Sequence, residues 1–243
     1  MVGSRAELEI LADPEALARR VADWLLAIST ARVGVFTLAL SGGGTPRRLY
    51  EILSAPPYHD VFPWPRTHLF WGDERFVPQN DESSNFRMVR EAMLSRAPVP
   101  AANIHPVRTE GLTPDAAAAD YERELKSFYG AERLDPVRPL FDVTLLGLGP
   151  DGHTASLFPG TAVLEERERW VAAVIGPTPP RITLTYPPLE SSRHVAFLVA
   201  GTEKREIVSR FQRGEHTLPA ARLCPTGAVH LFADAGAAQD LPR

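Results

Sequence analysis

Apolar residues recur along the chain with two periods, and the alternation between them predicts the architecture. After Asp13-Pro14, an N-cap carboxylate followed by a proline at the first helical position, Leu17, Val21, Trp24, Leu25 and Ile28 fall on one helix face, which places Trp24 in the core. Val33–Leu40 reads as a strand. It ends in Ser41-Gly42-Gly43-Gly44-Thr45-Pro46, where Pro46 opens a second helix with Leu49, Ile52 and Leu53 on its apolar stripe. The four prolines between Ala55 and Pro65 argue against regular structure there. Thr67–Trp71 reads as a strand. Ser84 or Asn85 starts a helix that turns Met88, Val89, Ala92 and Met93 inward, and a short strand follows near Ile104–Val107. Thr113-Pro114-Asp115 caps a long alanine-rich helix stopped by Gly130.

The second half opens on an almost unbroken apolar run, Phe141–Leu148, the pattern of a strand buried on both faces as in a parallel sheet. Strands are predicted at Trp170–Ile175 and Arg181–Thr185, with a proline turn, Pro177 to Pro180, between them and a loop, Tyr186–Ser192, after them. A strongly apolar strand, His194–Ala200, leaves through Gly201-Thr202-Glu203-Lys204 into a helix, Leu218–Leu223 reads as a short helix, and Ala228–Phe232 as a last strand. Strands alternating with helices imply βαβ crossovers and a mainly parallel sheet flanked by helices, a Rossmann-like, doubly wound α/β fold. No repeat, low-complexity tract or linker divides the chain, so residues 1–243 are expected to form a single domain.

Composition narrows the partners. A net charge of −4 provides no basic field for nucleic acid, and no stretch approaches the ~20 apolar residues of a membrane span. Met1 to Ile10 carry Arg5, Glu7 and Glu9 in place of the apolar core of a signal peptide, and the expectation is a soluble cytoplasmic protein. The single cysteine, Cys224, excludes an internal disulfide and a multi-cysteine zinc site, and is expected to be a small buried hydrophobe.

Chemistry gathers at the strand exits, where open α/β sheets bind ligands. Ser41, Gly42, Gly43 and Gly44 form a glycine loop between a strand and a helix N-terminus, a setting that lets backbone N–H groups approach an anion. Neither a Walker A nor a Gly-x-Gly-x-x-Gly pattern is present, which favours a small phosphorylated metabolite over a nucleotide. Arg181, at the start of a strand, and Lys204, at a strand-to-helix junction, are the cations placed to complete a phosphate site. Asp73-Glu74-Arg75 occupies another strand exit. In Gly149-Pro-Asp151-Gly-His153-Thr-Ala-Ser156, beyond the buried strand, His153 is the candidate proton acceptor, histidine having an ordinary pKa of about 6.5. No His-x-x-x-His or His-Glu-x-x-His pair occurs, so neither a catalytic metal nor a cofactor is expected.

Ser41-Gly-Gly-Gly-Thr-Pro46, Trp71-Gly-Asp-Glu-Arg-Phe-Val-Pro78, Ser84-Asn85 with Arg87, and Gly147-Leu-Gly-Pro-Asp-Gly-His-Thr-Ala-Ser-Leu-Phe-Pro-Gly160 resemble the 6-phosphogluconolactonase family, in family order. Arg181-Ile-Thr-Leu-Thr185 and Gly201 to Lys204 extend the resemblance end to end. It implies hydrolysis of 6-phospho-D-glucono-1,5-lactone to 6-phosphogluconate, in the oxidative pentose phosphate pathway. The related glucosamine-6-phosphate deaminases share the Asp-Gly-His segment, but Arg75 stands where their second motif has tyrosine, and Leu157-Phe158-Pro159-Gly160 replaces their Asn-Glu-Pro-Gly.

On this reading neutral His153 takes a proton from the water that attacks the C1 carbonyl and returns one to the ring oxygen. Asp151 or Asp73 orients the imidazole, and loop N–H groups or Arg75 meet the oxyanion. Gly43, Gly44, Arg181 and Lys204 grip the phosphate, with Asn85 and Arg87 nearby or bracing the loops. Ser41 and Ser156 lack the Gly-x-Ser-x-Gly elbow of a nucleophile. The expected partner is the small lactone alone, taken by a monomer or weak homo-oligomer. The rival readings are a deaminase-isomerase and a sugar-phosphate sensor, and the second lacks the helix-turn-helix a regulator needs.

Overall fold

The computed structural model describes residues 6–241; Met1 to Arg5, Pro242 and Arg243 lie outside it, as do the ends of the expected 1–243 domain and Arg5 of the leader reading. In chain order its elements are β1 (Glu7–Leu11), α1 (Pro14–Ala31), β2 (Phe36–Leu40), α2 (Gly44–Leu53), α3 (Tyr58–Val61), β3 (Thr67–Trp71), β4 (Asp73–Arg75), α4 (Asn85–Val89), β5 (Ile104–His105), α5 (Pro114–Tyr129), β6 (Phe141–Leu146), β7 (Val171–Val174), β8 (Arg181–Leu184), α6 (Tyr186–Glu190), β9 (Ser192–Val199), α7 (Arg205–Gln212) and β10 (Ala228–Asp234).

Seven strands form a parallel sheet in the order β1-β10-β9-β6-β2-β3-β5. From β2 the chain steps outward through β3 to β5, and from β6 it steps the opposite way through β9 to β10. The order therefore reverses between β2 and β6, and the crevice beyond their carboxyl ends is where such a sheet accepts a ligand. Every residue of β2 and β6 is buried. That explains why β6 tolerates only one acid. Asp142 accepts from Thr37 N at 2.9 Å and pairs with Arg32 at 2.8 Å and Arg193 at 3.2 Å, at the end of β6 away from the crevice.

Five expectations change. The strands at 171–174 and 181–184 leave the main sheet and join β4 in a second, antiparallel sheet of order β4-β8-β7. The chain turns out of β3 at Gly72, whose N–H makes a last bond to Leu40 O at 2.8 Å, and so Asp73–Arg75 is a strand and not only a turn. The proline-rich stretch after Ala55 holds α3 and a helical turn at Trp64–Arg66, and α6 forms where a loop was expected, because these prolines stand before or within first helical turns, where a missing N–H costs nothing. Cys224 is exposed.

Strand β1 escaped the pattern because it is a two-sided edge strand with Glu7 and Glu9 among its five residues. Val33 and Val35 are exposed and lie ahead of β2, which starts at Phe36. Trp24 is only partly buried and packs its edge against the rings of His194, His230 and Phe232.

Two histidine pairs cross the sheet towards its edges. His68 Nδ1 lies 2.9 Å from His105 Nε2, whose Nδ1 meets Glu124 at 2.7 Å; His194 Nδ1 lies 3.1 Å from His230 Nε2, whose Nδ1 is 3.3 Å from Glu7. Burial holds His68, His194 and His230 below the ordinary histidine range, and the neighbouring imidazole adds to this at His68 and His194. The unfolded chain thus binds more protons than the fold, so this contribution is complete above pH ~6.5 and is lost as pH falls through the depressed values. Glu74, which burial pushes up to about 7, gives the opposite slope, and a difference measurement separates the two. In urea unfolding, His230→Gln is expected to lose less stability than the parent between pH 7 and pH 5; equal losses would contradict the assignment.

Candidate active site

The crevice beyond β2 and β6 is a cavity of about 590 Å³. One wall is the glycine loop. Gly43 is the N-cap of α2, and the loop offers its backbone at the positive end of a ten-residue helix. Gly42 has no room for a side chain, since a Cβ there would collide with the Asn85 carboxamide. Asn85 is buried and donates through Nδ2 to Asp73 O at 2.9 Å, so it joins the glycine loop to β4.

The second wall is the turn after β6. Gly149 N donates to His153 O at 2.8 Å, Gly152 N donates to Gly149 O at 3.0 Å, and Thr154 Oγ1 closes the loop on Gly147 O at 2.9 Å. His153 reaches the cavity from this turn. Its backbone N–H donates to Asp151 Oδ1 at 3.1 Å, and its Nδ1 lies 2.5 Å from the same oxygen. Of the two candidate carboxylates, then, Asp151 is the one that touches His153. It stands outside the cavity lining and behind the ring. Burial pushes the Asp151 carboxyl up, but the two hydrogen bonds from His153 outweigh this and hold it below the usual range. Phe158 packs on the imidazole with centroids 4.6 Å apart, and a Cβ on Gly149 would strike the ring. With Nδ1–H committed to Asp151, Nε2 keeps its lone pair for a proton.

Asp73 has a different task. It accepts from Ser156 Oγ at 2.6 Å, and Ser156 N donates to Thr183 Oγ1 at 3.1 Å, so the carboxylate ties β4 to the turn after β6 and, through Ser156, to β8. Arg75 and Arg181 are direct cross-strand partners, which puts both side chains on one face, and both line the cavity. Arg75 Nη1 donates to Ser83 O at 2.6 Å, and Arg181 Nη1 donates to Pro179 O. Burial, and then the nearby Arg75 charge, lower the Arg181 pKa, as expected for two like charges side by side in a partly buried place. Lys204 lines the cavity with Nζ bonded to Leu148 O at 2.8 Å. Arg87 does not line the cavity. It pairs with Glu91 at 2.7 Å and braces the preceding loop through Asn80 O at 2.9 Å, because it lies on the outward face of α4.

Sequence reasoning passed over Glu74. Its buried carboxylate accepts from the N–H groups of Arg75, Asn85 and Phe86, each at 2.7 Å, and from Ser84 Oγ at 3.2 Å, and so holds the start of α4 beneath the site. Strand alternation was the available signal: Asp73 and Arg75 share one face of β4, and Glu74 must point the other way. The lining residues Glu203 and Leu198 to Ala200 carried no local signal. Among the described residues no three His, Cys, Asp or Glu side chains cluster as a metal site, and no helix is long and apolar enough to cross a membrane.

The family model described as glucosamine-6-phosphate isomerases/6-phosphogluconolactonase matches residues 12–231. The chain belongs to this family. The matched span contains every residue of the cavity. A 6-phosphogluconolactonase of Nostoc sp. is 40% identical over 240 residues, covering 96% of this chain and 98% of its own, and one of Synechocystis sp. is 41% identical over 214 residues, covering 87% of each. The crystal structure of 6-phosphogluconolactonase from Thermotoga maritima superposes with a TM-score of 0.80 at 32% identity, covering 94% of this chain and 99% of that one. The family is thus a mainly parallel α/β fold, as the strand pattern predicted.

Proposed function

We propose that the chain acts as a single-domain lactonase that hydrolyses 6-phospho-D-glucono-1,5-lactone to 6-phospho-D-gluconate. The observation that carries this reading is the fixed His153–Asp151 pair, Nδ1 to Oδ1 2.5 Å, facing a cavity whose other walls are a glycine loop and two arginines. An ester carbonyl needs an activated water and a donor for the oxyanion, and a phosphorylated substrate needs an anion clamp remote from the reacting carbon. The cavity supplies all three from one chain, which suits a monomer or weak homo-oligomer.

His153 Nε2 removes a proton from water as its oxygen bonds to C1. The carbonyl electrons move onto oxygen and are met by backbone N–H groups of the loops. Asp151 stabilises the resulting imidazolium. As the tetrahedral intermediate collapses, the bond from C1 to the ring oxygen breaks and the imidazolium returns its proton to that oxygen. The phosphoryl group lies on Ser41 to Gly44 at the α2 N-terminus, with Arg181, Arg75 and Lys204 neutralising its charge. Asp73, Asn85 and Arg87 keep the walls in register.

The test is hydrolysis of freshly made 6-phospho-D-glucono-1,5-lactone, with spontaneous opening subtracted. Arg181→Ala is expected to raise KM about tenfold or more with a smaller change in kcat, the loss of a charge-assisted contact made in both ground and transition states. An unchanged KM would remove Arg181 from the clamp. Ammonia release from glucosamine 6-phosphate in place of lactone hydrolysis would move the chain to the family's isomerase activity.

A further inference from the structure

Strand β2 ends at Leu40, and the residue that leaves it, Ser41, has a buried peptide with no ladder partner of its own. The hydroxyl of Tyr50, on α2, takes both of its polar groups: Ser41 N donates to Tyr50 Oη at 3.0 Å, and Tyr50 Oη donates to Ser41 O at 2.9 Å. Tyr50 is fully buried. A phenol has one proton to give and lone pairs to accept with, so both of its principal valences are spent on this one residue. Burial pushes the Tyr50 hydroxyl well above the ordinary tyrosine range, which keeps the donated proton in place. The same arrangement recurs on the next strand, where Trp71 N donates to Tyr121 Oη at 2.8 Å and Tyr121 Oη donates to Trp71 O at 3.1 Å. In both cases a buried tyrosine holds a peptide at the carboxyl end of a strand: Ser41 just beyond β2, and Trp71, the last residue of β3.

The consequence shows in the side chain of Ser41. Ser41 lines the cavity, and its Oγ is buried and is one of three buried side-chain polar atoms among the described residues with no hydrogen-bond partner. A buried hydroxyl without a partner is costly unless a ligand supplies one. Tyr50 has already engaged the Ser41 backbone, so the hydroxyl is left for the cavity.

We propose that Tyr50 is a positioning residue of the phosphoryl subsite: its hydroxyl fixes the Ser41 peptide so that Ser41 Oγ and the following glycine amides face the cavity before any ligand arrives. The inference rests on the reading of Ser41 to Gly44 as the phosphoryl cradle. A clamp formed in advance removes the ordering cost that binding otherwise carries, and it acts on the phosphorylated end of the substrate only.

The experiment compares kcat/KM on 6-phospho-D-glucono-1,5-lactone with kcat/KM on unphosphorylated D-glucono-1,5-lactone for the parent, Ser41→Ala and Tyr50→Phe. Both variants are expected to lower the preference for the phosphorylated lactone about tenfold, the factor that one lost or misdirected charge-assisted hydrogen bond represents. If Ser41→Ala lowers the preference and a folded Tyr50→Phe retains it, the cradle stands and the role of Tyr50 is overturned. If Ser41→Ala leaves the preference intact, the cradle reading itself fails. A measurement on the unaltered protein covers the case in which Tyr50→Phe does not fold. The Ser41 amide is expected to exchange slowly with solvent deuterium in the absence of phosphate, and fast exchange that slows only when inorganic phosphate is added would overturn the pre-formed clamp.

Discussion

His153→Ala is expected to lower kcat on the phosphorylated lactone by about 10²–10⁴-fold, the usual contribution of a positioned general base. The argument is geometric. The imidazole is held at three points: Asp151 at Nδ1, 2.5 Å away, Phe158 against the ring, and Gly149 beneath it, where no side chain fits. Such a ring has one free nitrogen and one direction in which to use it. KM is expected to move little, because the proposed phosphoryl clamp draws on other elements. The residual rate should stand above spontaneous opening, since the proposed cradle and oxyanion donors are untouched by the substitution. Turnover close to the parent's, after subtraction of the uncatalysed reaction, would remove His153 as the base.

Glu74→Ala is expected to be the most damaging substitution for the fold of the site. Three N–H groups at 2.7 Å would lose their acceptor in a buried place. At about 1–3 kcal/mol for each donor left unsatisfied, the loss is about 3 kcal/mol or more, a large part of a typical domain's 5–15 kcal/mol. Removing a carboxylate that burial already pushes up to about 7 offsets some of this. The damage should also reach the cavity, because Asn85, held by Glu74 at its N–H, fills the space against Gly42 and bonds to Asp73 O at 2.9 Å. Urea unfolding of Glu74→Ala should show a lowered midpoint, and Glu74→Gln, whose carbonyl still accepts, should fall between it and the parent. A midpoint equal to the parent's would contradict the role given to Glu74.

These two residues mark how much of the site was legible beforehand. His153 stood out because a small, polar, glycine-rich turn follows a long, almost unbroken apolar run, and a parallel α/β sheet puts ligands at that position. Glu74 sat one residue from two named candidates and carried as much consequence, yet nothing in Asp73-Glu74-Arg75 says which of the charges is buried. That follows from β4 pairing with β8, a strand more than a hundred residues away. Arg75 and Arg181 are partners for the same reason.

By itself the sequence determined the elements and their class: the capped helices at Asp13 and Thr113, the doubly buried β6, the glycine loop before α2, and the alternation that makes a parallel sheet. These depend on residues within a few positions of one another, so period, capping and turn chemistry suffice. Tertiary structure alone decided the partnerships: Asp151 and not Asp73 against His153, Arg87 turned out of the cavity, 171–174 and 181–184 drawn into a second sheet, and Tyr50 folded back on Ser41. Side chains near in sequence meet or miss according to strand pleat and helix face, and those far apart meet only through the packing of whole elements. Local pattern carries no record of either.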